Sequence, residues 1–352
     1  MGWARARSAV CSPAARASRG GRRASLAPCS AAERAPRSTP RHGSGGIGGY
    51  YGALLAKAGH DVTFIARGAH LEAMQRHGLT VRTPEGEFTI PVTAVADTRG
   101  VGPVDLVLFC VKSYDTEPAA QALVPLMARD TGVLTLQNGV DNLDAIASVV
   151  GAGAVLVGAV YVALQLIGPG MIVRAGREGT IVFGERSGAV TERAQRIAGA
   201  FQQSGLLHQV STHINRVLWE KFLFIAGVGG VTALARSGIG PLLASPEGRT
   251  LLTTSCEEVV TVARAAGAPL HADAVRSVIE EATTLPPQWR SSMARDLDDG
   301  RRLEVDALSG AVVRRGREHG LRTPVHQAIA ACLSLHQPTT VETRHPPVRS
   351  SA

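Results

Sequence analysis

Apolar residues follow two different rhythms along this chain. Between residues 61 and 210 they fall in short, nearly continuous runs bounded by Gly, Pro and charged positions. Asp61-Val62-Thr63-Phe64-Ile65-Ala66, Asp105-Leu106-Val107-Leu108-Phe109-Cys110-Val111 and Val133-Leu134-Thr135-Leu136 are the clearest. Unalternating runs of this length predict strands covered on both faces, as in a parallel sheet between helices. Val155–Leu166, Met171–Val173, Thr180–Phe183 and His208–Val210 continue the series, with turns at Gly168-Pro169-Gly170 and Arg177-Glu178-Gly179. Leu79–Arg82 and Glu87–Ile90 flank Pro84-Glu85-Gly86 and read as a hairpin. Helical spacing separates the runs at Tyr50–Ala58, His70–His77, Thr116–Met127 and Glu192–Gln203, the first ending at Gly59, a helix-stop signal. From Ile214 to about Leu335 the rhythm is helical throughout, broken at Gly238, Gly240, Gly267-Ala268-Pro269 and Pro286-Pro287. The pattern predicts an α/β domain over 43–210, an all-helical domain over 211–335, and a polar, disordered tail over 336–352. No uninterrupted apolar run reaches the length of a membrane span.

Ahead of the first strand run stands Gly43-Ser44-Gly45-Gly46-Ile47-Gly48-Gly49, which fits G-x-G-x-x-G at Gly43, Gly45 and Gly48. In a nucleotide-binding turn the first glycine permits the tight bend, the second lets backbone approach a pyrophosphate, and the third lets the helix pack closely. Phosphates then meet the positive end of the helix dipole. In a chain with 39 glycines the motif alone is a weak signal. The run ending at Ala66 strengthens it. Arg67 stands where an acidic residue would hold a ribose 2′-hydroxyl, and an Arg there suits a 2′-phosphate, so NADP is expected rather than NAD. The expected fold is α/β, with an N-terminal Rossmann-type dinucleotide-binding domain. Lys112 and Asn138 follow two strand runs directly, at the strand ends where such sheets bind ligands.

Upstream the pattern fails. Ala35-Pro36-Arg37-Ser38-Thr39-Pro40-Arg41-His42 cannot form the buried strand that should precede the glycines. Residues 1–42 are rich in Arg, Ala, Ser and Pro, a composition that resembles a transit peptide and equally a disordered segment or a misassigned start. A misassigned start is favoured, because a targeting segment would add residues before the strand rather than replace it.

Composition narrows the partners. The 352 residues are 45% hydrophobic and 19% charged, with a net charge of +8. Residues 1–42 hold nine Arg and one Glu, so they carry the whole excess. The body is neutral, which speaks against nucleic acid as a partner. Cys11, Cys29, Cys110, Cys256 and Cys332 form no metal-like spacing and are expected as free thiols in a reducing, cytoplasmic compartment. A homodimer is carried as the candidate assembly.

Against 34 Arg the chain has only three Lys, at 57, 112 and 221. Where Arg serves as the general surface cation, a retained Lys points to a need for a compact, titratable amine, with chance survival on a solvated face the even alternative. Lys221 lies in the apolar run Trp219-Glu220-Lys221-Phe222-Leu223-Phe224-Ile225, where burial would lower its pKa toward a usable proton donor. A structural lysine reaching for solvent is the other reading. The stretch from Ser291 to Asp306 is dense in polar groups. Ser292 and Glu304 are twelve residues apart and could act together only if the helix breaks, which Gly300 allows.

In this order, Gly43 to Gly52, the strand ending at Arg67, Val111-Lys112, Gln137-Asn138-Gly139, Trp219-Glu220-Lys221, and Ser291-Ser292-Met293 through Glu304-Val305-Asp306 to Ser309-Gly310 resemble the ketopantoate reductases. The resemblance covers about 43–335. It implies NADPH-dependent reduction of 2-dehydropantoate to pantoate, in pantothenate and coenzyme A synthesis, in a cleft between the two domains. It implies Lys221 as general acid and Glu304 as the group that contacts substrate oxygen and orients the site. Asn138 would lie between cofactor and substrate, and Ser292 would bind substrate. Gly43, Ser44, Gly45, Gly46, Ile47, Gly48, Arg67, Lys112, Asn138 and Glu304 would face the cofactor, with Arg67 and Lys112 on its phosphates. No metal is implied. The chain departs from the pattern at Ile225 and Gly229, where many members carry asparagine, so another 2-oxo acid or ketone is the alternative substrate. A non-catalytic NADP-binding protein is the third reading, opposed by the joint presence of Lys221, Asn138, Ser292 and Glu304.

Overall fold

The computed structural model describes residues 23–26 and 45–337. Among these described residues twelve strands run β1 (Arg23–Leu26), β2 (Thr63–Ile65), β3 (Leu79–Thr83), β4 (Gly86–Ile90), β5 (Thr93–Val95), β6 (Val104–Phe109), β7 (Gly132–Thr135), β8 (Val155–Val160), β9 (Ala163–Gly168), β10 (Met171–Ala175), β11 (Ile181–Glu185) and β12 (His208–Val210). The helices of this half are α1 (Gly46–Lys57), α2 (Gly68–His77), α3 (Thr116–Gln121), α4 (Asn142–Val150) and α5 (Glu192–Gln203). The main sheet has the order β1-β6-β7-β8-β11-β12 and is parallel except where β11 runs against β8. Its central strands are buried on both faces. In β6, Leu106 and Leu108 enter one apolar cluster while Val107 and Phe109 enter the other. That two-sided burial is why the sequence shows continuous runs.

The place of the first strand is taken from further upstream than the glycine motif suggests. Arg23–Leu26 pairs in parallel with β6, Arg23 opposite Val104 and Leu26 opposite Leu106. This corrects the reading of 1–42 as wholly disordered for these four residues. An unpaired β6 would present a row of backbone donors and acceptors, and pairing with them asks for extended backbone rather than apolar side chains. The rest of 1–42, together with Gly43 and Ser44, lies outside the described residues.

The remaining strands part from the sequence reading in a consistent way. The hairpin forms, with Leu79 opposite Ile90 and Arg82 opposite Glu87. It does not stand alone, because β3 also pairs in parallel with β10 and builds a four-stranded sheet, β4-β3-β10-β9. The run Val155–Leu166 is two strands in different sheets, broken at Tyr161-Val162. A Cβ on Gly179 would lie 2.4 Å from the Tyr161 carbonyl oxygen, so the break is packed against backbone. The second sheet lies on α1. A Cβ on Gly49 would come within 2.2 Å of Ile172 Cδ1, so Gly49 is what lets α1 sit on β10. At the other end of α1, Gly59 takes φ +92° and the His60 N–H reaches back to the Leu55 carbonyl, the expected helix stop.

Beyond β12 the chain is helical: α6 (Ile214–Phe222), α7 (Gly229–Leu234), α8 (Ile239–Ala244), α9 (Pro246–Ala265), α10 (Ala274–Thr283), α11 (Ser292–Asp298), α12 (Ala311–Glu318) and α13 (Pro324–Ser334). A π-turn at Leu223–Val228 joins α6 to α7, and a second at Asp306–Gly310 leads into α12. The continuous helix Ile214–Leu234 is 21 residues long and apolar enough on average to span a membrane, yet most of it is buried inside the protein. It is the core helix of this half. Its residues Leu218, Trp219, Phe222 and Leu223 share one apolar cluster with Val107, Phe109 and Val133 of the main sheet. The two halves are thus joined by a common core, which fixes what stands between them. The tail also starts later than expected. Gln337 clasps the backbone of Leu303, accepting from its N–H and donating to its carbonyl, both at 3.0 Å.

Candidate functional site

The candidate groups meet where the strand ends of the first half face the second. Lys112 follows β6 after Cys110-Val111, and Asn138 follows β7 after Leu136-Gln137. The loop carrying Asn138 is built from within. The buried Gln137 side chain donates to the Val111 carbonyl at 3.0 Å and to Thr116 Oγ1 at 2.8 Å, tying the two strand ends together. Gly139 takes φ +107°, and a Cβ there would lie 3.2 Å from the Ala307 carbonyl oxygen, so a helix of the second half closes over the loop. The Asn138 carbonyl accepts from Asn142 Nδ2 at 2.7 Å, leaving its half-buried side chain as the part of the residue turned to other uses.

Lys112 bridges the halves. Its Nζ donates to Asp296 Oδ2 and to Glu304 Oε2, both at 3.0 Å. Glu304 Oε1 accepts from the Ser113 N–H at 3.0 Å. Asp296 turns its other oxygen to Arg301 Nε, also at 3.0 Å. Burial by itself would drive the Lys112 ammonium toward neutrality, but Glu304 and Asp296 outweigh it and hold its pKa above the ordinary lysine value. Burial likewise opposes ionisation of Glu304, and Lys112 with the Ser113 N–H outweighs that and holds its pKa below the ordinary glutamate value. The pair is therefore charged. The resemblance assigns Lys112 to cofactor phosphates; in the fold its ammonium is held between Asp296 and Glu304. Gly300 does break the chain as expected, at φ +62° after α11, and this lets Asp296 and Glu304 converge on one cation.

Lys221 lies in the last turn of α6 and is 8% exposed. Burial lowers its pKa to about 8, and Glu304 is near enough to raise it against that trend. No ion pair joins its ammonium to another described residue. It differs in this from Lys112: one buried lysine is neutralised by partners and the other is left titratable. Each of Lys221 and Glu304 stands just before a π-turn. Such insertions change the direction of a helix by one residue and recur at functional sites.

Other expected residues are placed less centrally. Ser292 is exposed at the start of α11. Its buried neighbour Ser291 caps that helix, accepting from the Ala294 N–H at 3.1 Å while donating to the Gly229 carbonyl at 2.9 Å. Arg67 is exposed, directly after β2, at the N-terminus of α2. Gly45, Gly46, Ile47 and Gly48 form the start of α1, which no side chain caps and which has no acidic residue in its first turn. Sequence reasoning misses Asp296, Gln137 and Gln337 as individual contributors. Asp296 stands in the polar-dense stretch, but only the fold places it on Lys112. No group of three or more His, Cys, Asp or Glu suited to a metal occurs among the described residues.

A Rossmann-type sheet joined to a helical half, with a titratable buried lysine and a charged lysine–carboxylate cluster at their junction, is the architecture of a two-domain oxidoreductase. Residues 42–188 match the family model described as ketopantoate reductase PanE/ApbA, and 213–337 match that of its C-terminal part. A 2-dehydropantoate 2-reductase of Halobacterium salinarum is 36% identical over 300 residues, covering 84% of this chain and 97% of the relative. A PanE/ApbA family ketopantoate reductase from Ralstonia eutropha JMP134 superposes with a TM-score of 0.78 at 33% identity, over 89% of this chain and 98% of its own. A D-mandelate dehydrogenase solved with NADH and anilino(oxo)acetate shares the fold, with a TM-score of 0.78 at 22% identity over 89% and 98%. The chain belongs to the ketopantoate reductase family.

Proposed function

We propose that this chain reduces 2-dehydropantoate to pantoate with NADPH, a step that supplies pantothenate and hence coenzyme A. The observation that carries the reading is Lys221: a buried lysine with its pKa near 8, beside a carboxylate held ionised by a second lysine. The free thiols Cys110, Cys256 and Cys332 support a reducing, cytoplasmic setting.

The residues present fit a dinucleotide. The uncapped start of α1, with glycines at 45, 46, 48 and 49, offers N–H groups and close backbone approach to a pyrophosphate. Arg67, exposed after β2, suits a 2′-phosphate. Arg67→Ala is expected to lower the preference for NADPH over NADH by about ten- to a hundredfold, the loss of one charge-assisted contact. The ratio of kcat/KM for the two cofactors measures it, and an unchanged ratio would remove Arg67 from the site.

A reduced nicotinamide held at the start of α1 would supply the hydride that the carbonyl carbon of the 2-oxo acid takes up. Lys221, as its ammonium, gives one proton to the carbonyl oxygen as negative charge gathers there and is left as the neutral amine. The carbonyl becomes a hydroxyl, and atoms and charge balance. Glu304 is held from the other side by Lys112 and the Ser113 N–H, so it can accept a hydrogen bond from substrate without moving. Asn138, on the loop that follows β7, orients substrate against the cofactor.

A second reading concerns the substrate. Ile225 is half-buried one turn after Lys221, and Gly229 is buried with Ser291 Cβ 3.2 Å from where a Cβ would stand. An asparagine at 229 would press on Ser291, so the missing amide is built into the packing. This favours a 2-oxo acid with a more apolar side chain than ketopantoate. Oxidation of NADPH followed at 340 nm with a panel of 2-oxo acids decides. Ketopantoate ahead of all others supports the first reading, a bulky apolar 2-oxo acid ahead supports the second, and no turnover with any overturns both.

A further inference from the structure

His326, in the first turn of α13, is 0% exposed. It is nevertheless fully bonded. Nδ1 lies 3.2 Å from Ser309 Oγ, and Nε2 lies 3.0 Å from the Ser255 carbonyl oxygen and 3.3 Å from Ser255 Oγ. A carbonyl can only accept, so Nε2 carries the hydrogen and Nδ1 accepts from the Ser309 hydroxyl. Ser255 in turn donates from Oγ to the Gly227 carbonyl at 3.0 Å. Ser309 belongs to the π-turn that follows Glu304, and Gly227 to the π-turn that follows Lys221. One imidazole thus stands between the only two π-turns among the described residues.

The surroundings are built to keep it there. Glu258 accepts the N–H groups of Val325 and His326 at 2.8 and 3.0 Å, fixing the N-terminus of α13. A Cβ on Gly230 would lie 3.3 Å from Ser309 Oγ, so the two helices touch at backbone distance beside the ring. A Cβ on Gly227 would meet Cys256 Sγ at 2.7 Å, so α9 is equally close to the first π-turn. Burial lowers the His326 pKa to about 4, and the ring stays neutral, with both nitrogens bonded, through the neutral range.

We propose that His326 is a positioning residue, whose hydrogen bonds through Ser309 and Ser255 lock the two π-turns to one another and so set Lys221 against Glu304. The inference rests on the reading of those two residues as the acid and its orienting partner. A π-turn carries one residue more than the helix around it, and it relaxes to regular helix by rotating what precedes it. In this fold what precedes each turn is the candidate chemistry. Without the ring's hydrogen bonds each turn is free to relax, Lys221 shifts from its buried place, and its pKa returns toward the ordinary lysine value.

The test uses the full chain with His326→Leu, Ser309→Ala and His326→Asn. Because the protein has only three lysines, the Cε resonance of Lys221 can be titrated directly by NMR, assigned with Lys57→Arg and Lys112→Arg. Turnover of the best 2-oxo acid is measured in parallel. His326→Leu and Ser309→Ala are expected to raise the Lys221 pKa by about half a unit or more and to lower kcat roughly tenfold, with cofactor KM within about twofold. His326→Asn, which can still donate and accept, recovers most of both. An unshifted Lys221 titration in folded Ser309→Ala overturns the proposal, whether or not His326→Leu folds. A role confined to stability would lower Tm and leave the Lys221 titration where it was. If wild type turns over no 2-oxo acid, the proposed function fails, and the titration still decides this inference.

Discussion

Lys221→Ala is expected to lower kcat by about 10²–10⁴-fold while cofactor affinity holds. The size follows from what the residue does at the moment of reaction. Charge appears on the carbonyl oxygen only as hydride arrives, so a cationic donor beside it stabilises the transition state more than bound substrate. The loss should therefore fall on kcat rather than on KM. In wild type the active form is the ammonium. With a pKa lowered by burial to about 8, activity should fall as pH rises through about 8 and approach a tenfold loss per unit above it. Lys221→Ala should lack this limb. Stability runs the other way. Between about 8 and the ordinary lysine value the unfolded chain holds the proton more firmly than the folded one, so stability rises with pH across that window. Below it the folded chain bears the cost of a buried ammonium, on the order of 3 kcal/mol as an upper bound. Lys221→Met, which fills the same space without the charge, is accordingly expected to melt no lower than wild type and to be as inactive as the alanine variant. An active Lys221→Met, or a variant that fails only by unfolding, would remove Lys221 as the acid.

That the amino-acid sequence alone marks this lysine reflects composition more than pattern. Three lysines beside thirty-four arginines make each conspicuous, and the apolar run around Lys221 announces burial. The strands of the main sheet are legible for a similar reason: two-sided burial leaves short continuous apolar runs, which Gly, Pro and charged residues bound at strand length. Pairing across distance leaves no such mark. The union of β3 with β10, and the break between β8 and β9, depend on how two remote segments meet on α1. Strand β1 is legible only from its partner, because Arg23-Ala24-Ser25-Leu26 has no apolar run to mark it. The site shows the same limit. Glu304 and Lys112 are each visible in the sequence, but as separate candidates with separate partners. Their bond to one another, and the place of Asp296 on the same ammonium, arises from the turn at Gly300 and the packing of the two halves. The π-turns carry no sequence signal at all, since one extra residue in a helix leaves the apolar rhythm almost unchanged.

Glu304→Gln is expected to lower kcat near neutral pH by up to about a hundredfold and to move the alkaline limb to lower pH. The amide keeps the volume and can still accept the Ser113 N–H, so the change is chiefly one of charge. Burial has already pushed Lys221 down, and Glu304 is the group that raises it. Removing that charge lets the pKa fall further, and at a given pH less of the enzyme carries the proton it must donate. Lys112 loses one of two carboxylates and keeps Asp296, so the bridge between the halves is weakened rather than abolished. Removing one partner of a buried pair commonly costs about 3–5 kcal/mol when the other charge is left alone, and the surviving carboxylate should hold the loss below that. The acid limb of stability supplies an independent check. Glu304 has its folded pKa below its unfolded value, so its contribution is present above the ordinary glutamate pKa and is lost as pH falls through the folded one. Lys112 has the opposite shift and contributes below the ordinary lysine pKa, losing that contribution as pH rises. Melting temperatures of wild type and Glu304→Gln should thus converge in acid and separate toward neutrality. Lys112→Met should be the more damaging variant, since it leaves Glu304 buried without its cation and Asp296 with Arg301 alone. An alkaline limb that stays in place in Glu304→Gln would show that Lys221 is governed by burial alone and that Glu304 acts on substrate without tuning the acid.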